Sequence, residues 1–123
     1  MIVNYGAQAL AWQIGSNLPN NYIQYCAIGS GSGTVVNTQT VLFNERDRNS
    51  VTGSPDFTTA KKVTFQFDFN SFEMSGINLT EFGFLGSYPA SVGSVWQIER
   101  IGSVVFDGTN EFQISNVLEV INQ

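Results

Sequence analysis

The 123-residue chain contains no histidine, one cysteine and few charges, which make up only 12% of its residues. Without histidine, and with one thiol, the ligand sets of zinc and most transition-metal sites are missing. No disulfide framework can form within the chain, and the apolar neighbours of Cys26 indicate a small core residue. A serine or cysteine nucleophile also lacks the histidine that most often activates it. We therefore expect neither an enzyme nor a bound cofactor.

Positive charge is equally scarce. The chain has five basic and ten acidic residues, for a net charge of -5, and the basic residues are Arg46, Arg48, Lys61, Lys62 and Arg100. Five scattered cations cannot form a basic face, so we expect no nucleic-acid partner. No run of 18 apolar residues predicts a transmembrane helix, so we also expect no membrane partner. The first residues lack a charged segment followed by an apolar stretch, which argues against export by the ordinary secretory route.

The residues that are plentiful are uncharged and polar, or aromatic. Asn, Gln, Ser and Thr together supply 41 residues, and 13% of the chain is aromatic. Low charge combined with a 42% apolar fraction is typical of a folded, β-rich domain and not of a disordered chain. Interface cores are likewise poor in charge and rich in aromatic residues. This composition suggests a surface that is covered by neighbours in an assembly.

Residue patterns predict one mainly β domain over residues 1–123. It is an antiparallel β-sandwich of five to six or more strands within 22–121, with one short N-terminal helix at 4–15. In the helix, an apolar stripe of Ala7, Leu10, Ala11 and Ile14 recurs at helical spacing and is the expected packing face. Asn4 can cap the start of this helix and Gly15 can end it.

The strands are predicted at 22–28, 62–69, 77–85, 94–106 and 111–121, and residues 40–48 are predicted as a short strand or extended segment. The clearest is 62–69, where Val63, Phe65, Phe67 and Phe69 alternate with polar residues, so a second sheet or the helix should cover its apolar face. Gly102 predicts a bend or bulge, and a slip in the alternation near Asn116 predicts another. The Asp-Gly pair within 107–110 favours a hairpin turn.

Three glycines alternate in "IGSGSG" (28–33), namely Gly29, Gly31 and Gly33. The spacing matches neither a dinucleotide fingerprint nor a Walker loop, and the β-branched residues that follow do not favour a helix that could hold a phosphate. We interpret the segment as a flexible connecting loop in which glycine permits tight turning.

A few other side chains are candidates for structural or surface roles. Glu81 and Arg100 each lie in an apolar strand, where a charge needs a partner, so we expect a cross-strand or inter-subunit pair. Glu45 and Arg48 belong to "NERDR" (44–48), which indicates a solvated turn or local ion pairs. The aromatic residues Trp12, Tyr88 and Trp96 could stack on sugars, although packing in the core or at an interface is the favoured reading.

Five landmarks occur in order along the chain. They are "NYGAQALA" (4–11), the glycine segment 28–33, the series Leu42, Glu45 and Arg48, the strand "LTEFGFL" (79–85), and Arg100. In this the chain resembles the compact N-terminal domain of many bacteriophage tail-fibre, tail-collar and baseplate-associated proteins. It departs from their pattern after Arg100, where Gly102 intervenes and Phe106 replaces an earlier phenylalanine.

The resemblance implies a non-catalytic structural role in the virion, where copies pack around a symmetry axis or against other virion proteins. It implies synthesis in the host cytoplasm and release by lysis. The expected contact elements are the N-terminal helix, the glycine segment and the loop around Tyr88. Two alternatives are a module that binds a host glycan through surface aromatics, and a capsid decoration or head-fibre protein.

Overall fold

The computed structural model describes residues 1–14, 23–86 and 95–121, without the side chains of residues 12–14. The helices and strands, in chain order, are α1 (Asn4–Ile14), β1 (Ile23–Gly29), β2 (Glu45–Ser50), β3 (Lys62–Phe69), α2 (Ser71–Met74), β4 (Asn78–Gly86), β5 (Val95–Val105) and β6 (Phe112–Glu119). The predicted class is confirmed, since the described chain is mainly β, with antiparallel sheets and a short N-terminal helix.

The strands form two sheets. The large sheet has the order β2-β1-β4-β5, and the small sheet consists of β3 and β6. Two backbone hydrogen bonds between Asp56 and Thr64, one in each direction, widen the small sheet on the edge of β3 that faces away from β6. Residues 1–3 run beside β5, where the Val3 amide donates to the Trp96 carbonyl oxygen at 2.9 Å.

The alternating pattern of β3 produces the contact between the sheets. Phe65, Phe67 and Phe69 are buried, while Gln66 and Asp68 are exposed, as the sequence predicted. The Phe67 ring lies 5.6 Å from the ring of Phe84 in the large sheet. A second sheet therefore covers the apolar face of β3, and each buried phenylalanine contributes roughly 1.5–3 kcal/mol.

The central strands of the large sheet, β1 and β4, are buried on both faces. Cys26 and Ile28 of β1 join the cluster between the sheets, whereas Ala27 joins a second cluster. The β1–β2 connection supplies Leu42 to the second cluster, and residues 1–3 supply Val3. Burial on both faces explains why "CAI" in β1 reads as a continuous apolar run instead of an alternating one.

The helix α1 packs through a different face from the predicted one. Gly6 and Ala9 are buried, while Ala7, Leu10 and Ala11 are exposed, so the expected packing stripe is wrong over these residues. A Cβ at position 6 would overlap the backbone carbonyl of Trp96. The smallest residues thus bring the helix against β5, and the larger Leu10 is left outside. The side chain of Ile14, and Gly15, lie outside the described residues.

Three local predictions near β5 and β6 have different outcomes. Leu79 pairs with Val104 and Glu81 with Arg100, so β5 has extra residues here and the predicted irregularity at Gly102 is confirmed. The predicted bulge near Asn116 is wrong, because β3 and β6 stay in continuous register. The turn at 107–110 does not make a hairpin, because β5 and β6 belong to different sheets.

The short helix α2 was not predicted from the sequence. Asn70 caps it, accepting a hydrogen bond from the Glu73 amide at 2.8 Å, while the Glu73 side chain accepts from the Asn70 amide at 3.0 Å. This reciprocal capping box stabilises a single turn that has no helical periodicity to reveal it.

We expect Gly6→Ala to lower the free energy of unfolding by about 2 kcal/mol, since the added methyl overlaps a backbone atom that cannot rotate away. Urea denaturation measures the change. Gln8→Ala, at an exposed position of the same helix, is the control and should change stability little. Alanine is the better helix former, so equal or greater stability of Gly6→Ala would contradict this packing.

Candidate functional site

The site that the fold assembles is centred on the buried carboxylate of Glu81. This residue is 0% exposed and lies directly opposite Arg100 in the β4–β5 register. An Arg100 guanidinium nitrogen is 3.3 Å from Glu81 Oε2. The Asn44 amide donates to Glu81 Oε1 at 3.0 Å. Each carboxylate oxygen thus accepts a hydrogen bond, as a buried charge requires.

Arg100 extends this network to the glycine segment. The same guanidinium nitrogen donates to the Gly31 carbonyl oxygen at 2.7 Å, and the Thr80 hydroxyl donates to that oxygen at 2.6 Å. The guanidinium also lies over the Phe43 ring, 5.6 Å from its centroid, a cation–π geometry. One arginine of β5 therefore holds the chain after β1 and the chain before β2. We call Glu81, Arg100, Asn44 and Gly31 the Glu81 cluster.

The glycines of the segment make room for this cluster. A Cβ at Gly29 would lie 2.6 Å from both Glu81 Oε1 and the Asn44 carbonyl oxygen, and one at Gly31 would lie 2.7 Å from the Asn44 nitrogen. Of the three glycines in this segment, only Gly33 has a positive φ, 144°. The interpretation of a loop that merely turns therefore needs correction. Gly29 and Gly31 serve the close approach of neighbouring atoms.

The pair Glu45 and Arg48 lies beside the cluster on β2. Arg48 donates from Nε to Glu45 Oε2 at 2.8 Å and from a terminal nitrogen to Oε1 at 2.6 Å. Glu45 lies opposite Gly29 in the β1–β2 register. The side chains of the Glu45–Arg48 ion pair are partly exposed. The sequence-predicted residues Gly29, Gly31, Glu81 and Arg100 thus converge, and this local ion pair adjoins them.

Of the three aromatic candidates, only Trp96 has a described side chain. Trp96 is only 7% exposed and belongs to the core cluster between the sheets, so the reading of Trp96 as a surface aromatic is wrong. Its indole N–H is buried and has no hydrogen-bond partner among residues 1–14, 23–86 and 95–121. The Trp12 side chain and Tyr88 lie outside the described residues. The packing interpretation therefore applies to Trp96.

Among the titratable groups of the described residues, the Cys26 thiol is fully buried. Burial raises the pKa of the Cys26 thiol far above its usual range, which keeps the thiol protonated. Within residues 1–14, 23–86 and 95–121, no three His, Cys, Asp or Glu side chains cluster as metal ligands would. Likewise, no helix in these ranges is long and apolar enough to cross a membrane.

A groove that the sequence did not reveal lies beside α1. Its volume is about 440 Å³, and its apolar lining includes Ile2, Leu10, Ile23, Trp96, Leu118 and Val120. Lys61 and Lys62 also line it. Around it, Leu10 is 53% and Val120 is 69% exposed. The sequence pattern predicted that the apolar stripe of α1, which includes Leu10, faces the core. For that reason it did not predict an exposed apolar groove beside this helix.

Comparison with known proteins returned no match to a protein family, to a curated protein or to a solved structure. The likeness to phage tail proteins remains an expectation from the sequence landmarks.

Replacing Arg100 should unbalance the buried carboxylate. We expect Arg100→Met to lower the free energy of unfolding by about 3 kcal/mol, at the low end for a broken buried pair because Arg100 is partly exposed. The exposed Arg46→Met is the matched control and should cost no more than about 0.5 kcal/mol. Adding Glu81→Gln should restore part of the loss, because it removes the unpaired charge. Equal stability of the two arginine variants, measured by urea denaturation, would exclude a structural role for the pair.

A methyl group at Gly29 should disturb the same cluster sterically. We expect Gly29→Ala to destabilise the fold by about 2–3 kcal/mol, because its Cβ meets both the Glu81 carboxylate and a backbone carbonyl. Gly102→Ala is the control, since nothing lies within 4 Å of its added Cβ. Thermal unfolding of the two variants compares them directly. If Gly29→Ala unfolds at the same temperature as Gly102→Ala, then Gly29 is not needed for the close approach of Glu81 and Asn44.

Proposed function

We propose that the chain is a structural protein of a bacteriophage particle, in the tail, collar or baseplate or as a fibre-anchoring subunit. It acts without catalysis, by assembling with copies of itself and with neighbouring particle proteins. The observation that supports this most is the exposed apolar stripe of α1 beside the groove. The five sequence landmarks supply the viral setting.

The surface around the groove has the character of a contact site. Ile2 and Leu10 are more than half exposed, and Val120 and Ile121 more so. Contiguous exposed apolar surface on a soluble protein is typical of an interaction site. Burying one such side chain against a partner contributes roughly 1.5–3 kcal/mol, so a few of them supply useful affinity.

The Glu81 cluster suits an assembly role because it fixes the shape of the β1–β2 connection on the large sheet. A particle protein contributes by presenting surfaces at a set angle, and closed symmetry then multiplies modest contacts. The connection between β1 and β2 is tied to β5 through Arg100, so this part of the surface needs little ordering when a neighbour binds.

A charge on the exposed stripe should block assembly without unfolding the chain. We expect Leu10→Glu to reduce incorporation into particles at least about tenfold, because the carboxylate would be buried against an apolar partner. Gln8→Glu, exposed on the same helix, adds the same charge and should assemble normally. Quantitative mass spectrometry of purified particles gives the copy number of each variant. Equal copy numbers for the two variants would reject the groove surface, and absence of the wild-type chain from particles would reject the proposed function.

A further inference from the structure

The outer edge of β6 is the second surface that the fold leaves open. Among the described strands, β6 pairs only with β3. The Val120 amide donates to the Lys61 carbonyl oxygen, which fixes the phase of the ladder. The backbone groups of even-numbered residues from 112 to 120 therefore face β3. Those of Gln113, Ser115, Val117 and Glu119 point away from it.

This edge has few of the features that keep strands apart, and Glu119 is its one charged residue. Its eight residues, Phe112–Glu119, stay in unbroken register with β3 and include neither lysine nor proline. Val117 is 51% exposed at this edge. Natural proteins protect free edges with bulges, charges or proline, so a long regular edge is suited to pairing with another strand.

Asn116 provides an independent sign of a missing partner. The residue is only 7% exposed, and its Nδ2 atom is buried with no hydrogen-bond partner in the described part of the chain. Buried side-chain amides in native proteins nearly always have hydrogen-bond partners, so we expect Asn116 Nδ2 to donate to an acceptor. Asn116 lies in the middle of β6, next to the open edge.

We propose that β6 pairs antiparallel with β6 of a second copy, around a two-fold axis that passes between the two Asn116 residues. The small sheets then join into one sheet of four strands. The two Asn116 residues form a non-hydrogen-bonded pair, whose Cβ atoms lie about 4.5–5.5 Å apart. At this separation, rotation of the two side-chain amides out of their buried orientation lets each Nδ2 donate to the Oδ1 of the other copy.

The charges on the strand favour this register over its neighbour. With the axis at Asn116, Gln113 lies opposite the partner's Glu119, and Glu111 lies opposite the partner's Ile121, so no like charges meet. Moving the axis to Ser115 places Glu111 opposite the partner's Glu119, which is unfavourable. Moving it to Val117 leaves each Asn116 opposite a leucine, where its amide finds no acceptor.

The pairing also covers apolar side chains. In the Asn116 register, Ile114 lies opposite the partner's Leu118, and the half-buried Phe112 lies opposite the partner's Val120. This inference deepens the proposed assembly role by naming the contact between copies, and it rests on that role only for its biological setting.

Sedimentation velocity on the purified chain tests the pairing. We expect a dimer for the wild type, and a dissociation constant at least about tenfold higher for Ser115→Pro, which removes an outward N–H from each copy. Ser115→Ala keeps that N–H and should dimerise like the wild type. Circular dichroism shows whether each variant is folded. A monomeric wild type, or a folded Ser115→Pro variant that dimerises normally, would overturn the inference.

Cysteine cross-linking tests the register separately, in a Cys26→Ala background. Asn116→Cys should give a covalent dimer on mild oxidation, because the two thiols lie opposite each other. Ser115→Cys should not, because its opposite residue is the partner's Val117. Efficient cross-linking at 115 but not at 116 would overturn the register. A wild-type monomer that is still incorporated into particles would reject β6 pairing and leave the proposed function standing.

Discussion

The buried carboxylate of Glu81 is the constraint on which this part of the structure depends. A charge without solvent contact is costly, and here donors from two separate segments compensate for that cost. Arg100 comes from the neighbouring strand, and the Asn44 amide comes from the chain that enters β2. The carboxylate can therefore be satisfied only when β4, β5 and the β1–β2 connection are all in place.

The same constraint explains the small residues around it. Gly29 and Gly31 leave the volume that the carboxylate, Asn44 and Phe43 occupy. In a chain with few charges, one buried carboxylate and its partly exposed arginine thus specify the path of a long connection. Most of the other polar residues carry amides or hydroxyls. The described chain also has exposed apolar side chains and an open edge at β6.

Local patterns predicted those features that depend on local spacing. The alternation of Phe65, Phe67 and Phe69 identified β3 and its buried face, because strand side chains alternate strictly. The charges of Glu81 and Arg100 stood out against apolar strands, so their pairing could be expected. The packing face of α1 could not be predicted, because it depends on Gly6 meeting the Trp96 backbone, a contact distant in sequence. The pairing of β6 with β3 is also non-local, so a hairpin at 107–110 was predicted in error.

Hydrogen exchange at the Asn44 amide tests the central claim most directly. Asn44 lies just outside β2, and its N–H is bonded to the Glu81 carboxylate instead of to a strand partner. If the carboxylate holds the β1–β2 connection against β4 and β5, the Asn44 amide should exchange as slowly as that of Ala27 in β1. Exchange at the rate of an unprotected loop amide, while Ala27 stays protected, would contradict the account.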